Sequence, residues 1–197
     1  MNQSIPDLIN KAHSTAKEKG FWNDVTIEFQ AQCIILIISE VTEALEALRK
    51  NNFGEVDKFN NCLSKETFPS CFSEYIKDSF QDEMADVCIR IFDYAGGFAM
   101  NMEKCDKGIE EYSLIKYYNA EMEALAGLKV EHIPSYLLGI IRTLTDLKYN
   151  LWHSQYLGET LAKIHHLMQS LGYDLEAHIY MKMQFNATRG FKHGKSF

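Results

Sequence analysis

The sequence predicts an all-α helical bundle, and three observations carry that expectation. Only three of its 197 residues are proline, at positions 6, 69 and 134. Apolar residues recur at helical spacing through the long stretches between them. The breaks in that pattern fall at segments suited to helix ends, such as Gly20, Asn51-Asn52-Phe53-Gly54, Gly96-Gly97 and Gly172.

Taken in order, Ser4 with Pro6 and Asp7 reads as a helix start and Gly20 as its stop. A second helix is expected over about 24–50, with Ile27, Ile34, Ile38, Val41, Leu45 and Leu48 on its core side. Its Ile34–Ile38 run is expected to be buried on most sides. Residues 51–77 carry Pro69 and read as a loop with short helical pieces. Asp78 or Ser79 caps a third helix that ends near Gly96-Gly97. Residues 107–129 are helical, more polar and rich in tyrosine. Pro134 opens a helix to about residue 149, a further one covers 158–170, and a last one spans about 174–188 before a short basic tail.

Composition bounds the function. Apolar residues make up 46% of the chain and charged ones 24%, as in an ordinary globular protein. The length allows one substantial core or two small fused units, and a single all-α domain over 1–197 is expected. The formal net charge of −7 argues against a surface that coats a nucleic-acid polymer, because phosphate binding needs a basic patch. No apolar run approaches the ~20 residues of a membrane span, and no signal peptide is visible, so no membrane partner is expected. The five cysteines, Cys33, Cys62, Cys71, Cys88 and Cys105, show no C-x-x-C spacing. Cys33 and Cys88 read as small core residues, which suggests a reducing, cytoplasmic setting.

Two short carboxylate pairs stand out, Glu40-x-x-Glu43 and Glu83-x-x-Asp86. Residues three apart on a helix share a face, with Cβ atoms roughly 5–6 Å apart. Two such helices packed together concentrate four negative charges, and oxygen-only ligation favours a hard ion, Mg²⁺ or Mn²⁺. Two plainer readings stand beside that one. Such pairs are commonly solvated helix faces, and ion pairs with lysine or arginine account for many others. Glu46, Asp82 and Asp93 read as exposed helix carboxylates, the alternative being support for the first two pairs.

Near the C-terminus, Lys182 and Asn186 lie i,i+4 on one helical face, with Arg189 three further on. Lys192, His193 and Lys195 follow. These donors suit a polyphosphate chain, and they equally suit a solvated basic terminus that complements the helix dipole. Phe21 and Trp22 read as core aromatics or as a stacking surface for a base.

A weak internal repeat is also visible. Residues 37–43 resemble 140–146, and 83–96 match 159–172 in length and apolar phase, with Glu40 replaced by Thr143 and Asp86 by Ala162. Chance similarity between amphipathic helices is the competing account.

Together these motifs resemble the MazG-like all-α nucleoside triphosphate pyrophosphohydrolases, a superfamily that includes the dimeric dUTPases. The likeness rests on Ser39-Glu40-Val41-Thr42-Glu43, on Asp82-Glu83-Met84-Ala85-Asp86-Val87, and on Gly172-Tyr173-Asp174 followed by Lys182-x-x-x-Asn186-x-x-Arg189 and His193-Gly194-Lys195. Lys19-Gly20-Phe21-Trp22 resembles the run before the first metal helix of some members. About sixty residues separate the second and third motifs, from Phe98 to Leu157, where the family usually has few. An inserted helical pair or a decayed duplicate would explain that spacing.

The resemblance implies an enzyme that hydrolyses a nucleoside triphosphate to the monophosphate and pyrophosphate. Glu40, Glu43, Glu83 and Asp86 would be ligands of Mg²⁺, with Mn²⁺ as the substitute. Glu43 and Glu83 would be catalytic, Glu43 as the base. Lys182, Asn186, Arg189, Lys192, His193, Lys195 and Trp22 would bind substrate. Residues 1–100 would form the metal-binding half and 101–197 its partner half, as a homo-oligomer or an intrachain pseudo-dimer. The rival expectation is a non-catalytic nucleotide-binding or scaffolding protein of the same fold.

Overall fold

A computed structural model describes residues 4–23, 25–99, 114–147 and 153–194. Its order is α1 (Ile5–Glu18), α2 (Ile27–Arg49), α3 (Val56–Cys62), α4 (Phe68–Tyr75), α5 (Phe80–Tyr94), a π-helical turn (Ala95–Ala99), α6 (Leu114–Leu125), α7 (Ile133–Thr145), α8 (His153–Ser170), α9 (Leu175–Thr188) and a 3₁₀ turn (Phe191–Gly194). No strand occurs among the described residues, so the protein is all-α. None of the described helices is long and apolar enough to cross a membrane.

Local chemistry sets the helix starts. The side chains of Ser4, Thr26, Ser79 and Asp174 each accept a hydrogen bond from a first-turn amide, satisfying a donor that the helix itself cannot. Ser79 rather than Asp78 is the cap of α5; Asp78 turns the chain, with φ of 59°. Pro6, Pro69 and Pro134 all lie in first turns, where a missing amide hydrogen costs nothing.

The core forms where α5 meets α1, α2 and α9, and where α8 meets α6 and α7. Phe80, Met84, Val87, Cys88, Ile91 and Phe92 bury almost the whole circumference of α5. Two helix pairs, α2 with α5 and α7 with α8, pack on one another so that α2 touches α7 and α5 touches α8. These are the elements that the sequence repeat relates. A second, smaller core of Phe59, Cys71, Phe72 and Ile76 lies under α3 and α4, against Met181 and Phe185 of α9.

Four expectations are corrected. The fully buried stripe of α2 is Ile37, Glu40, Val41, Ala44 and Ala47, while Ile34, Ile38, Leu45 and Leu48 are half-buried and Ile35 is 64% exposed. The apolar run is therefore not enclosed; its stripe is rotated so that Glu40 points inward. The eighth helix begins at His153, not at 158. Gly158 lies inside it because a Cβ there would sit 2.5 Å from the Leu114 carbonyl oxygen, so it marks the close crossing of α6 and α8. The helix opened by Pro134 ends at Thr145. Cys62 and Cys71, left unpaired by the sequence reading, are joined by a disulfide, with Cα atoms 5.7 Å apart. Two half-buried helices seven and eight residues long bring them together, a proximity that residue spacing alone does not reveal.

Candidate functional site

The site lies where α2 crosses α5. The α5 cap at Ser79 starts a helix whose first turn already contains Asp82 and Glu83, which places both against α2 and α9. Glu40 and Glu83 are each 4% exposed, while Glu43 on the next α2 turn is exposed. Glu40, Glu43 and Glu83 each bring a carboxylate oxygen within 4.8 Å of the others. Asp78, Asp82 and Glu83 converge in the same way on the adjoining side. Asp86, the fourth expected ligand, instead turns one oxygen to Lys182 Nζ at 2.9 Å.

Two cations are built into this cluster. Lys182 Nζ donates to Asp82 Oδ2 at 2.7 Å from a side chain almost without solvent access. Arg90 Nε donates to Glu40 Oε1 at 2.5 Å. The Asp78 amide also donates to Asp82 Oδ2, at 2.9 Å, while Asp82 Oδ1 is buried with no partner. Apart from exposed Asp78, which pairs with Lys77, five carboxylates thus face two cations, and the excess charge is expressed as proton affinity. Burial, with the Lys182 charge opposing it and the neighbouring carboxylates adding to it, pushes Glu83 up to about 9. Burial likewise raises Asp82, to about 6 against the pull of Lys182, and raises Glu40 against the pull of Arg90. For Lys182, desolvation works against the charged form but Asp86 and Asp82 together outweigh it, so the ammonium is held charged.

A cavity of about 130 Å³ opens beside the cluster and shares Asp86 and Arg90 with it. Its walls come from α1, α2, α5 and α9, with Phe21, Phe29, Ile89 and Tyr94 as apolar faces and Lys19, Gln32, Asp93 and Asn186 as polar ones. Asn186 Oδ1 is buried there without a hydrogen-bond partner. Asp93 Oδ1 accepts from Trp22 Nε1 at 2.8 Å and faces His13 Nδ1 at 2.9 Å. Cys33 also lines the cavity, but burial pushes its thiol up to about 12, so it is no thiolate nucleophile. Apolar walls with a few convergent polar groups beside a carboxylate cluster make this cavity the candidate small-molecule site.

The sequence-selected residues divide cleanly. Glu40, Glu43, Glu83, Asp86 and Lys182 meet in one cluster, and Asn186 joins the cavity. Lys182 is a structural counter-ion of that cluster rather than an exposed phosphate donor. Trp22 does not line the cavity; it packs against His13, Phe29 and Phe98. The chain passes beneath its ring at Gly97, where a Cβ would lie 1.7 Å from the indole. Arg189 ends α9, its carbonyl accepting from Lys19 Nζ. The Lys192 amide donates to the Lys19 carbonyl at 2.9 Å, outside the carboxylate cluster. The backbone of His193 lies in the 3₁₀ turn, and Lys195 falls outside the described residues. Asp82 and Asp93, expected on the surface, are buried and half-buried, whereas Glu46 is exposed and pairs with Arg49. Arg90 was missed altogether. Its signal was spacing: it stands i+4 from Asp86, on the carboxylate face of an otherwise apolar helix.

Comparison of the chain with protein-family models, curated proteins and solved structures finds no match to any of them. The donor set itself speaks to a cation. All the converging atoms are carboxylate oxygens, two of the three residues are buried, and the local charge is in excess, a chemistry that fits a hard divalent ion.

Proposed function

We propose that this protein is a Mg²⁺-dependent nucleoside triphosphate pyrophosphohydrolase, releasing nucleoside monophosphate and pyrophosphate, with Mn²⁺ able to substitute. One observation carries the reading: Glu40, Glu43 and Glu83 converge from two helices beside a cavity that shares Asp86 and Arg90 with them. The motif resemblance adds the nucleotide. A bound divalent ion would supply charge neutralisation for phosphate oxygens and acidify a water. Glu40, Glu43 and Glu83 would hold it, and Glu43, the exposed one of the three, would be the base for the attacking water. Lys182 keeps Asp82 and Asp86 in position. Asn186 offers its unpartnered carbonyl oxygen to a donor on the ligand, and Phe21 and Phe29 offer apolar surface to a base.

The same proposal treats the two halves as an intrachain pseudo-dimer in a cytoplasmic setting. Contacts of α2 with α7 and of α5 with α8 support it, because each helix touches its counterpart in the repeat. Thr143, the counterpart of Glu40, accepts from Lys163 Nζ at 2.8 Å, so that position also links its helix to the paired one, although Lys163 aligns with Val87 and not with Arg90.

One observation favours the rival, non-catalytic reading: Lys182 and Arg90 already neutralise part of the cluster. A panel of ribo- and deoxyribonucleoside triphosphates, with pyrophosphate release followed with and without Mg²⁺, separates the two. Metal-dependent release that is lost in Glu83→Gln supports the enzyme; nucleotide binding without release supports the scaffold.

A further inference from the structure

The small core under α3 and α4 lies directly behind the charge cluster, and one covalent bond crosses it beside the Phe59–Phe68 and Phe68–Phe72 ring contacts. Helices of seven and eight residues are too short to persist alone, so α3 and α4 depend on their mutual packing and on α9. Only four residues of this small core, Phe59, Cys71, Phe72 and Ile76, are fully buried. The Cys62–Cys71 disulfide ties the last residue of α3 to the middle of α4 across nine positions of sequence. Cys71 is fully buried, but Cys62 is half-buried, so one sulfur of the pair is within reach of solvent.

Next to Cys71, the Phe72 ring stacks on Phe185 of α9 with centroids 4.5 Å apart. Lys182 Nζ stands 5.9 Å from the centroid of that same Phe72 ring while it holds Asp82 and Asp86. Phe72 is therefore both the neighbour of the disulfide and the apolar backing of the ammonium. Loosening α4 removes that backing from the one lysine that neutralises the α5 carboxylates.

We infer that the Cys62–Cys71 disulfide is a redox-sensitive staple, and that its reduction unseats Lys182 through the Phe72–Phe185 stack. The reductant is a dithiol. Its two sulfurs close into a disulfide as the Cys62–Cys71 bond breaks, and the two protons it gives up end on the Cys62 and Cys71 thiols. The unfastened hairpin then opens locally while the main bundle, whose core contains neither cysteine, stays folded. The consequence for the site rests on the cation reading given above: with the ammonium displaced, the carboxylates attract a divalent ion more strongly.

The experiment compares the oxidised protein, the protein in dithiothreitol and the Cys62→Ser/Cys71→Ser variant by amide hydrogen exchange and by Mn²⁺ titration. Exchange over residues 56–75 should rise roughly tenfold on reduction, and over 181–186 by a smaller factor, with α2, α5 and α8 unchanged. The variant should match the reduced protein. Mn²⁺ should bind roughly tenfold more tightly once a unit positive charge has left the cluster. Unchanged exchange at 181–186, or a rise spread evenly over the bundle, would overturn the staple. Mn²⁺ binding absent from both redox states would instead sink the cation reading, and the exchange data would still decide the staple.

Discussion

Lys182 Nζ lies 2.7 Å from Asp82 Oδ2, joining α9 to α5 across one hundred positions of sequence. With half-buried Asp86 at 2.9 Å the lysine closes a triad around two buried groups, and this ties α9 to the carboxylate cluster. Removing one partner of such a pair strands the other charges in a medium that solvates them poorly. Lys182→Met should therefore destabilise the protein by about 3–5 kcal/mol, measured by chemical denaturation without divalent ions. Adding Asp82→Asn should return much of that loss, because it removes one of the stranded charges. A Lys182→Met protein as stable as the parent would show that the triad contributes nothing net.

The carboxylates set a pH dependence whose sign follows from Glu83. Its ordinary value is 4.5 and burial raises it to about 9 in the folded chain. Between those values the folded state holds a proton that the unfolded state has released. The contribution of Glu83 to stability is fully present below pH 4.5 and is lost as pH rises through about 9. Metal-free protein should accordingly become less stable from pH 6 to pH 9, and millimolar Mg²⁺ should flatten that slope by taking over the proton's role. Glu83→Gln, neutral throughout, should remove the Glu83 share of the slope and most of the Mg²⁺-induced rise in Tm and, on the enzyme reading, abolish most of the turnover. Thermal melts across this range, with and without Mg²⁺, check it. A slope that Glu83→Gln leaves untouched would assign the titration elsewhere.

At Gly158 the limit is steric. A methyl there would meet the Leu114 carbonyl oxygen at 2.5 Å and the Tyr118 amide nitrogen at 2.9 Å, both backbone atoms of α6 that cannot swing away. Gly158→Ala should cost about 1–3 kcal/mol by forcing the helices apart, against the usual gain from alanine in a helix. Gly139 in α7, with no atom near its Cβ position, is the control: Gly139→Ala should stabilise by about 0.5–1 kcal/mol. Equal effects at the two sites would mean that the crossing is not close-packed.

The helical class, the caps and the carboxylate pairs were legible in sequence because each depends on residues within a turn of one another. Ser79 with Asp82, or Glu40 with Glu43, are local facts. What could not be read was orientation and long-range pairing. The run of isoleucines in α2 satisfies several helical phases at once, and only packing against α5 selects the one that buries Ile37 and Glu40. Lys182 reads as a phosphate donor when its α9 neighbours are the only context; Asp82, a hundred residues away, makes it a counter-ion. The Cys62–Cys71 pair was hidden for the same reason, since residue spacing does not fix how two short helices fold onto each other.

Lys19 offers the last test, where the C-terminal end of α1 meets that of α9. Its ammonium donates to the Ala187 carbonyl at 3.0 Å and to that of Arg189, two carbonyls at the C-terminus of α9, where a positive charge is favoured. Its own carbonyl accepts from the Lys192 amide. Lys19 and Asn186 both line the cavity, so the clamp fixes the spacing of the α1 and α9 walls. Lys19→Met keeps the length of the side chain but loses both charged hydrogen bonds, and should cost about 1–3 kcal/mol. Truncation after Arg189 removes the Lys192 bond and the Phe191 ring packed on Gly20 but spares both bonds of the Lys19 ammonium, and should cost less than half as much. On the enzyme reading, Lys19→Met should raise KM several-fold and leave kcat within twofold, because the wall moves while the carboxylates do not. A fall in kcat with KM unchanged would place Lys19 in the chemistry rather than in the wall.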